Sequence, residues 1–194
     1  MQSDLLDVPY RVVTIGEESV GKTSITNRLV GESFNQNEPS TVGANYQQIE
    51  QEKDGNKICI QIWDTAGQER FKSLAPIYLR NACAALVVFS LTSKSSFESL
   101  GLWIEMFYEI AGQNTILCVI ANKSDLTDEH ELTLSEANDW AAQFGYPLFE
   151  VSAKTGYGID KVLDFLLTKL PTLKEGNKSK SKKLTQSQEG GQCC

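Results

Sequence analysis

Short β-rich runs alternate with amphipathic helical patterns along most of this chain. Parallel strands need a long crossover connection, usually a helix, so this alternation predicts a mostly parallel sheet with helices on both faces. Several of the runs are apolar throughout, as expected for strands that are covered on both sides. The predicted strands are 10–15, 58–63, 84–91, 115–121 and 147–151, and the predicted helices lie near 21–30, 75–80, 95–111, 134–144 and 158–170.

One further strand is expected to run antiparallel to its neighbour. Residues 46–53 have a strand pattern, and Asp54-Gly55 separates them from the run that ends at Trp63. Asp-Gly between two strand patterns is typical of a tight hairpin. The predicted fold class is therefore α/β, with a six-stranded, mostly parallel sheet, one antiparallel edge strand and about five helices.

The C-terminal end of the chain differs in composition from the rest. Pro171 is expected to end the last helix, because proline cannot continue the helical hydrogen-bond pattern. From Lys174 onward Lys, Ser, Gln and Gly predominate, and they bury too little apolar surface to fold. We therefore expect a folded, monomeric domain over residues 1–173 and a disordered basic tail over residues 174–194.

The charge is divided unevenly between these two parts. The whole chain carries a net charge of −7. The tail holds five lysines and two glutamates, a net charge of +3, which leaves −10 for residues 1–173. An acidic domain argues against nucleic-acid binding, whereas a basic tail suits an anionic membrane surface. The longest apolar run, 82–89, is far shorter than the roughly 20 residues of a transmembrane helix.

A loop motif, Gly16-Glu17-Glu18-Ser19-Val20-Gly21-Lys22-Thr23, lies between the first predicted strand and the first predicted helix. It matches G-x-x-x-x-G-K-[ST], whose glycines let backbone N–H groups face phosphate oxygens at a helix N-terminus. Lys22 is expected to reach the β- and γ-phosphates, and the Thr23 hydroxyl is expected to bind Mg²⁺. The predicted phosphate-binding residues are Glu18, Ser19, Val20, Gly21, Lys22, Thr23 and Ser24.

A second motif, Asp64-Thr65-Ala66-Gly67-Gln68-Glu69, directly follows the strand that ends at Trp63. A carboxylate at a strand end suits the Mg²⁺ shell, through a water molecule. We expect the Gly67 N–H to contact the γ-phosphate and Gln68 to orient the attacking water.

Two further motifs follow the last two predicted strands. In Asn122-Lys123-Ser124-Asp125, the Asp125 carboxylate can accept the two adjacent N–H donors of guanine, which adenine does not present, and Lys123 can lay its methylene stem along the purine. In Ser152-Ala153-Lys154, a backbone N–H can bind guanine O6. Ligands bind at the strand ends of such sheets, so these residues predict guanine recognition.

Together these motifs resemble those of the Ras-superfamily small GTPases over residues 10–172. Within that superfamily the chain resembles the Rab family, on the stretch 63–71 (WDTAGQERF) and the twin C-terminal cysteines. The stretch 73–78 (SLAPIY) is similar to that of endosomal Rabs. The resemblance implies a P-loop NTPase fold that binds GTP or GDP with Mg²⁺ and hydrolyses GTP. It also implies a switch that regulates vesicle or endosomal traffic by recruiting effectors in the GTP state.

The resemblance also assigns residues between the motifs. Thr41 falls at the switch I threonine, whose hydroxyl joins Mg²⁺ when the γ-phosphate is present, and Phe34 falls at the aromatic that packs against guanine. The catalytic set is then Lys22, Thr41, Gly67 and Gln68, and the metal set is Thr23, Thr41 and Asp64. Tyr46, Trp63 and Tyr78 match the aromatic triad through which Rabs meet effectors.

Partners and location are likewise implied by the resemblance. Cys193 and Cys194 match a Rab prenylation site, which implies double geranylgeranylation. It also implies peripheral attachment to the cytoplasmic face of an endomembrane, that of the endosome, in exchange with the cytosol. The partners implied are effectors, an exchange factor, a GTPase-activating protein and a chaperone of the prenylation or GDI type.

The chain departs from the Rab pattern at a few positions. Glu18 stands beside the γ-phosphate site where Rabs have a small residue, so we expect slow intrinsic hydrolysis. Leu79, Asn81 and Ser90 replace the usual Tyr, Gly and Asp. Two rival functions follow: a GTP-binding module that scarcely hydrolyses, which Glu18 favours, and a P-loop kinase or ATPase, which the Asp125 motif disfavours. His130, among acidic neighbours, is expected to be a solvated surface residue.

Overall fold

The computed structural model describes residues 8–66 and 75–185. Within them six strands form one sheet. The strands are β1 (Tyr10–Ile15), β2 (Ala44–Lys53), β3 (Asn56–Thr65), β4 (Ala84–Ser90), β5 (Ile116–Asn122) and β6 (Leu148–Glu150). The strand order β2-β3-β1-β4-β5-β6, with β2 antiparallel to β3 and the other pairs parallel, confirms the predicted sheet.

The helices are packed on both faces of this sheet. They are α1 (Lys22–Leu29), α2 (Ala75–Leu79), α3 (Lys94–Glu98), α4 (Leu100–Ala111), α5 (Leu134–Phe144) and α6 (Ile159–Thr185), with a 3₁₀ turn at Thr127–Glu129. Only Ser99 separates α3 from α4, so the described residues form about five helical blocks, as predicted.

The core is divided into two layers by the alternating side chains of the strands. On one face Val12, Ile60 and Leu86 pack with Ile25 of α1 and Leu166 of α6. On the other face Val13, Val87 and Phe89 pack with Leu100 and Phe107 of α4. Because both faces of the central strands are covered, β4 is buried at every position, which explains why its sequence is apolar from Ala84 to Phe89.

The turn between β2 and β3 has the backbone that the Asp-Gly pair predicts. Asp54 and Gly55 both have positive φ, 53° and 76°. This is the conformation of a two-residue type I′ hairpin, which Asp and Gly tolerate better than other residues. The ladder it closes pairs every residue of β2, so Tyr46 lies directly beside Trp63.

The expected end of the last helix at Pro171 is wrong. Helix α6 continues through Pro171 to Thr185. The missing N–H of proline costs one helical hydrogen bond, but Leu170 is fully buried and Leu173 still packs on the core, so apolar contacts hold the helix on both sides of the proline. Residues 174–185, expected to be disordered, are therefore helical. The division of the chain at residue 173 stays a prediction.

In the part of the chain that the structure describes, no helix is both long enough and apolar enough to span a membrane.

Candidate functional site

The loop between β1 and α1 is shaped by two glycines. Gly16 and Gly21 have φ of 139° and 96°, a region that favours glycine. A Cβ on Gly16 would collide with the Val88 carbonyl oxygen, and one on Gly21 would collide with the Asn122 side-chain nitrogen. The loop can therefore lie against the ends of β4 and β5 only with glycine at both positions. Gly21, the N-cap residue of α1, has no side chain with which to cap the helix, so the first N–H groups of α1 are available to an anion.

This loop forms one wall of a cleft of about 510 Å³, a size suited to a small organic ligand. The cleft gathers predicted residues from four separate stretches of sequence. Val20 and Ser152 are buried outside its lining, and Gly67 and Gln68 lie outside the described residues. The predicted residues that line it are Glu18, Ser19, Gly21, Lys22, Thr23, Ser24, Phe34, Thr41, Asn122, Lys123, Asp125, Ala153 and Lys154.

Lys22 is a buried cation at the floor of the phosphate end. Its side chain is 6% exposed, and its ammonium donates to the Glu17 carbonyl oxygen at 2.6 Å. Burial lowers the pKa of Lys22 to about 8, against the opposing attraction of Asp64 and other carboxylates. A charge held this far out of water is poorly solvated, so an anionic ligand gains more from it than from a surface lysine.

Three oxygen ligands meet beside Lys22, although they come from three elements. Thr23 Oγ1 donates to Asp64 Oδ2 at 2.7 Å, and Thr41 Oγ1 donates to the same oxygen at 3.0 Å. The two hydroxyl oxygens are 2.9 Å apart. Thr14 Oγ1 donates to the other Asp64 oxygen at 3.2 Å. The structure thus brings together all three residues of the predicted metal set.

This oxygen cluster fits Mg²⁺. Neighbouring ligands in an octahedral shell with Mg–O of 2.0–2.1 Å are about 2.9 Å apart, close to the separation of the two hydroxyls. Burial raises the pKa of Asp64, and the hydrogen bonds from Thr23 and Thr41 and the charge of Lys22 oppose this rise. A buried carboxylate among hydroxyls gains a strong partner when a hard cation binds, with phosphate and water oxygens completing the shell.

Asn122 holds the base end of the cleft together rather than pointing freely into it. Its Nδ2 donates to the Val20 carbonyl at 2.8 Å, and its Oδ1 accepts from the Ala153 N–H at 3.1 Å. The side chain is 2% exposed. Asn122 therefore ties the phosphate loop, the loop after β5 and the loop after β6 into one unit.

The Asp125 carboxylate lies at the base end of the cleft, where residues of the loop after β6 hold it in place. Its Oδ1 accepts from the Ser152 hydroxyl at 2.6 Å, and its Oδ2 is 3.9 Å from the Lys154 ammonium. This leaves acceptor capacity on both oxygens. The Ser152 and Ala153 amides donate to Tyr157 and Asn122, so among residues 152–154 only the Lys154 amide donates to no described residue. Of the three amides predicted to serve guanine O6, that of Lys154 is therefore the candidate carried into the proposal below.

Comparison with known proteins found several relatives that are similar to this chain in sequence. GTP-binding protein YPT53 of Saccharomyces cerevisiae is 38% identical over 88% of this chain and 80% of its own length. Ras-related protein Rab-31 of Rattus norvegicus is 36% identical over 95% of this chain and 96% of its own length. Ras-related protein RabC of Dictyostelium discoideum is 32% identical over 97% of this chain and 98% of its own length. The model of the Ras family matches residues 11–172.

The chain belongs to the Ras family. Its relatives identify it as a Rab-family small GTPase of the Ras superfamily, as the sequence motifs predicted. Members of this family bind GTP and GDP and hydrolyse GTP to GDP, and this protein is such an enzyme. The P-loop fold class is thereby confirmed as well.

The aromatic triad of this Rab GTPase lies on the surface of β2, β3 and α2. The Tyr46 and Trp63 rings are stacked with centroids 5.1 Å apart, and the Trp63 and Tyr78 centroids are 6.3 Å apart. The Arg11 guanidinium packs on the Trp63 ring at 3.9 Å. Tyr46 is 51% exposed, with Val42 and Ile77 exposed nearby in sequence, so the predicted triad forms one continuous aromatic surface.

The structure shows where the residues that depart from the Rab pattern lie in this GTPase. Leu79, the last residue of α2, is fully buried in the core, and Asn81 has φ of 64°, a left-handed conformation that Asn tolerates better than most residues. Ser90 is buried, with its hydroxyl 2.8 Å from that of Thr92. Glu18 is exposed and lines the cleft at its mouth.

Two residues support the base loops in a way that the sequence did not predict. Arg28, in the last turn of α1, donates to the carbonyl oxygens of Ala153 and Lys154. His130 is half-buried, with Nε2 3.2 Å from the Lys123 carbonyl oxygen, so the expectation of a solvated histidine is wrong. The only signal in the sequence was a basic residue at a helix end, which is too common to indicate a role.

Proposed function

We propose that this Rab GTPase is a Mg²⁺-dependent switch in vesicle or endosomal traffic that recruits effectors in its GTP state. The observation that supports this most is the approach of Thr41 to Thr23 and Asp64, with oxygen separations of 2.7 to 3.0 Å. Thr41 lies in the long loop before β2, so its position by the metal site depends on what the site holds. A γ-phosphate with Mg²⁺ favours this closed arrangement, and its loss releases the loop.

In the proposed mechanism Thr23, Thr41 and Asp64 would hold Mg²⁺, which would supply positive charge to stabilise the phosphates of GTP during transfer. The Lys22 ammonium adds a fixed positive charge beside the same oxygens. Gln68 orients a water molecule whose oxygen forms a bond to the γ-phosphorus while the bond to the GDP oxygen breaks. Gly67 donates its N–H to the γ-phosphate. The products are GDP and inorganic phosphate.

Base selection in this proposal rests on Asp125 and the loop after β6. Asp125 accepts the two adjacent donors of guanine, and the Lys154 amide donates to O6. Phe34 and the Lys123 stem lie along the faces of the ring. Adenine carries an amino group where guanine has O6. This donor would face the Lys154 N–H, which is also a donor, and no hydrogen bond could form. The same geometry argues against the kinase or ATPase alternative.

The aromatic surface of Tyr46, Trp63 and Tyr78 is the proposed effector site. It joins β2, which follows the Thr41 loop, to α2, which follows the Asp64 motif. Both flanking segments contact the γ-phosphate in the proposed GTP state, so effector binding depends on the nucleotide. An exposed aromatic surface of this kind suits protein recognition.

The proposed location is the cytoplasmic face of an endomembrane, endosomal by resemblance. Cys193 and Cys194 would carry two geranylgeranyl chains, which anchor stably where one would not. The lysines of the tail would add attraction to anionic lipid. Exchange factors, activating proteins and a GDI-type chaperone would control nucleotide state and extraction. Both cysteines lie outside the described residues.

Hydrogen–deuterium exchange in residues 34–46 tests the switch. We expect slower exchange in the complex with non-hydrolysable GTP than in the GDP complex, because Thr41 closes on the metal site. Thr41→Ala should remove this difference, whereas Ser40→Ala, a change at the exposed neighbour, should keep it. Equal exchange in the two nucleotide states of the unmodified protein would refute the switch.

A further inference from the structure

Arg28 connects the phosphate-binding helix to the loop that carries the base-binding amide. It lies in the last turn of α1, the helix that begins at Lys22. Its Nε donates to the Ala153 carbonyl at 2.7 Å, and its Nη2 donates to the Lys154 carbonyl at 2.7 Å. A third contact, from Nη1 to the Glu32 carbonyl, is long at 3.5 Å. The two short contacts use the planar fork that only arginine has.

This fork determines where the Lys154 amide points. The Ala153 carbonyl and the Lys154 N–H belong to one peptide unit, and no described peptide bond is cis. In a planar trans peptide these two groups point in opposite directions. Because Arg28 holds the Ala153 carbonyl on the α1 side, the Lys154 N–H faces the other way. Lys154 lines the cleft, and its amide donates to no described residue.

We propose that Arg28 is a positioning residue for base recognition, which aims the Lys154 amide at the 6-oxygen of guanine. The inference rests on the proposed guanine pocket around Asp125. Asp125 recognises the donor edge of the base, whereas the amide recognises the adjacent acceptor. Arg28 therefore contributes to discrimination at position 6, where adenine carries a donor, without contacting the nucleotide itself.

The test compares GDP with 6-thio-GDP, which keeps both donors of guanine but replaces O6 with a sulfur, a weak acceptor. Dissociation constants of both are measured for the full chain. The unmodified protein should prefer GDP several-fold. Arg28→Ala should weaken GDP about five- to tenfold, the effect of one hydrogen bond, and should bring the ratio of the two constants close to one. Arg28→Lys, with one compact donor group, should be intermediate.

The outcomes separate this inference from the proposed pocket. If Arg28→Ala weakens both nucleotides by the same factor, or neither, Arg28 does not aim the amide and the inference fails. If Asp125→Ala also leaves GDP binding unchanged, the pocket itself is misassigned. Lys169→Ala, an exposed basic change on α6, is the matched control and should alter neither constant. Should Arg28→Ala not fold by circular dichroism, the ratio for Arg28→Lys decides: an unchanged ratio overturns the inference.

Discussion

Thr41 donates a 3.0 Å hydrogen bond to Asp64 Oδ2, although 23 residues separate them and only Asp64 belongs to a strand. The contact closes the loop before β2 over the metal site. Thr23 makes a shorter contact, 2.7 Å, to the same oxygen, but it lies in helix α1 and is held there by the fold. In the proposed switch, the Thr23 hydroxyl therefore stays in the site in both nucleotide states, whereas the Thr41 hydroxyl joins it only in the GTP state.

This difference predicts that the two threonines affect Mg²⁺ binding in different states. Thr23→Ala should lower Mg²⁺ affinity in both the GDP complex and the complex with non-hydrolysable GTP. Thr41→Ala should lower it about tenfold or more only in the GTP-like complex, since a hydrogen bond or ligand to a charged group contributes about 1.5–3 kcal/mol. The measurement is a Mg²⁺ titration of nucleotide release, with Thr41→Ser as the conservative control. An equal loss in both states for Thr41→Ala would mean that the loop does not open.

Glu18 predicts a slow GTPase. Its carboxylate is exposed at the mouth of the cleft, on the loop that surrounds the phosphates, and negative charge there disfavours an anionic transition state. Glu18→Ser should raise intrinsic single-turnover hydrolysis several-fold, and it should raise activator-stimulated hydrolysis more, because an incoming arginine then meets no competing carboxylate. Glu32→Ser, an exposed change beyond α1, is the control. If Glu18→Ser is no faster with or without a Rab-activating domain, solvent screens the side chain and it has no catalytic effect.

The lowered pKa of Lys22 predicts that the protein takes up a proton when it binds nucleotide above neutral pH. Burial lowers its pKa in the empty site to about 8, and bound phosphates raise the pKa because they favour the charged form. At pH 8.5 the Lys22 ammonium is therefore partly deprotonated in the free protein and protonated in the complex. Because binding takes up this proton, GDP affinity falls as pH rises above about 8, by at most tenfold per pH unit. Calorimetry in two buffers of different ionisation enthalpy measures the uptake.

Lys22→Arg provides the control for this linkage. Arginine stays charged throughout this pH range, so the variant should bind GDP with no proton uptake. A binding enthalpy for the unmodified protein that is the same in both buffers at pH 8.5 would show that Lys22 does not titrate there.

The twin cysteines predict cooperative membrane attachment. Loss of one geranylgeranyl chain leaves marginal binding and loss of both leaves none, because a single chain anchors weakly and reversibly. Cys193→Ser and Cys194→Ser should each shift most of the protein to the soluble fraction, and the double variant should shift all of it. Fractionation and mass spectrometry of the protein from its native cell measure this. Free thiols at both positions in membrane-bound protein would contradict the proposal.

The sequence alone predicted features that depend on neighbouring residues. The limits of β1 were predicted to the residue, because the β-rich run 10–15 is followed directly by Gly16, the first glycine of the phosphate-loop motif. The β2–β3 turn was predicted because Asp54-Gly55 specifies its backbone. The approach of Thr23 to Asp64 could be anticipated because the loop after β1 and the end of β3 lie at the same edge of the parallel sheet.

The features that were missed depend on tertiary contacts between distant stretches. Arg28 contacts a loop more than 120 residues away, and nothing near it in sequence indicates that partner. His130 is turned inward by the Lys123 carbonyl, although its sequence neighbours are acidic. The end of α6 was misplaced because a local rule for Pro171 was outweighed by the packing of Leu170 and Leu173 on the core.

Single-turnover hydrolysis by the purified full chain tests the central claim of a Mg²⁺-dependent GTP switch most directly. Protein loaded with γ-labelled GTP is followed in excess Mg²⁺ and in EDTA, with ATP in parallel. We predict that bound GTP is converted completely to GDP and phosphate in Mg²⁺, that the rate in EDTA is at least about a hundredfold lower, since the metal stabilises the transition state by several kcal/mol, and that ATP is neither retained nor cleaved. Equal rates with and without Mg²⁺, or cleavage of ATP as fast as GTP, would contradict the account.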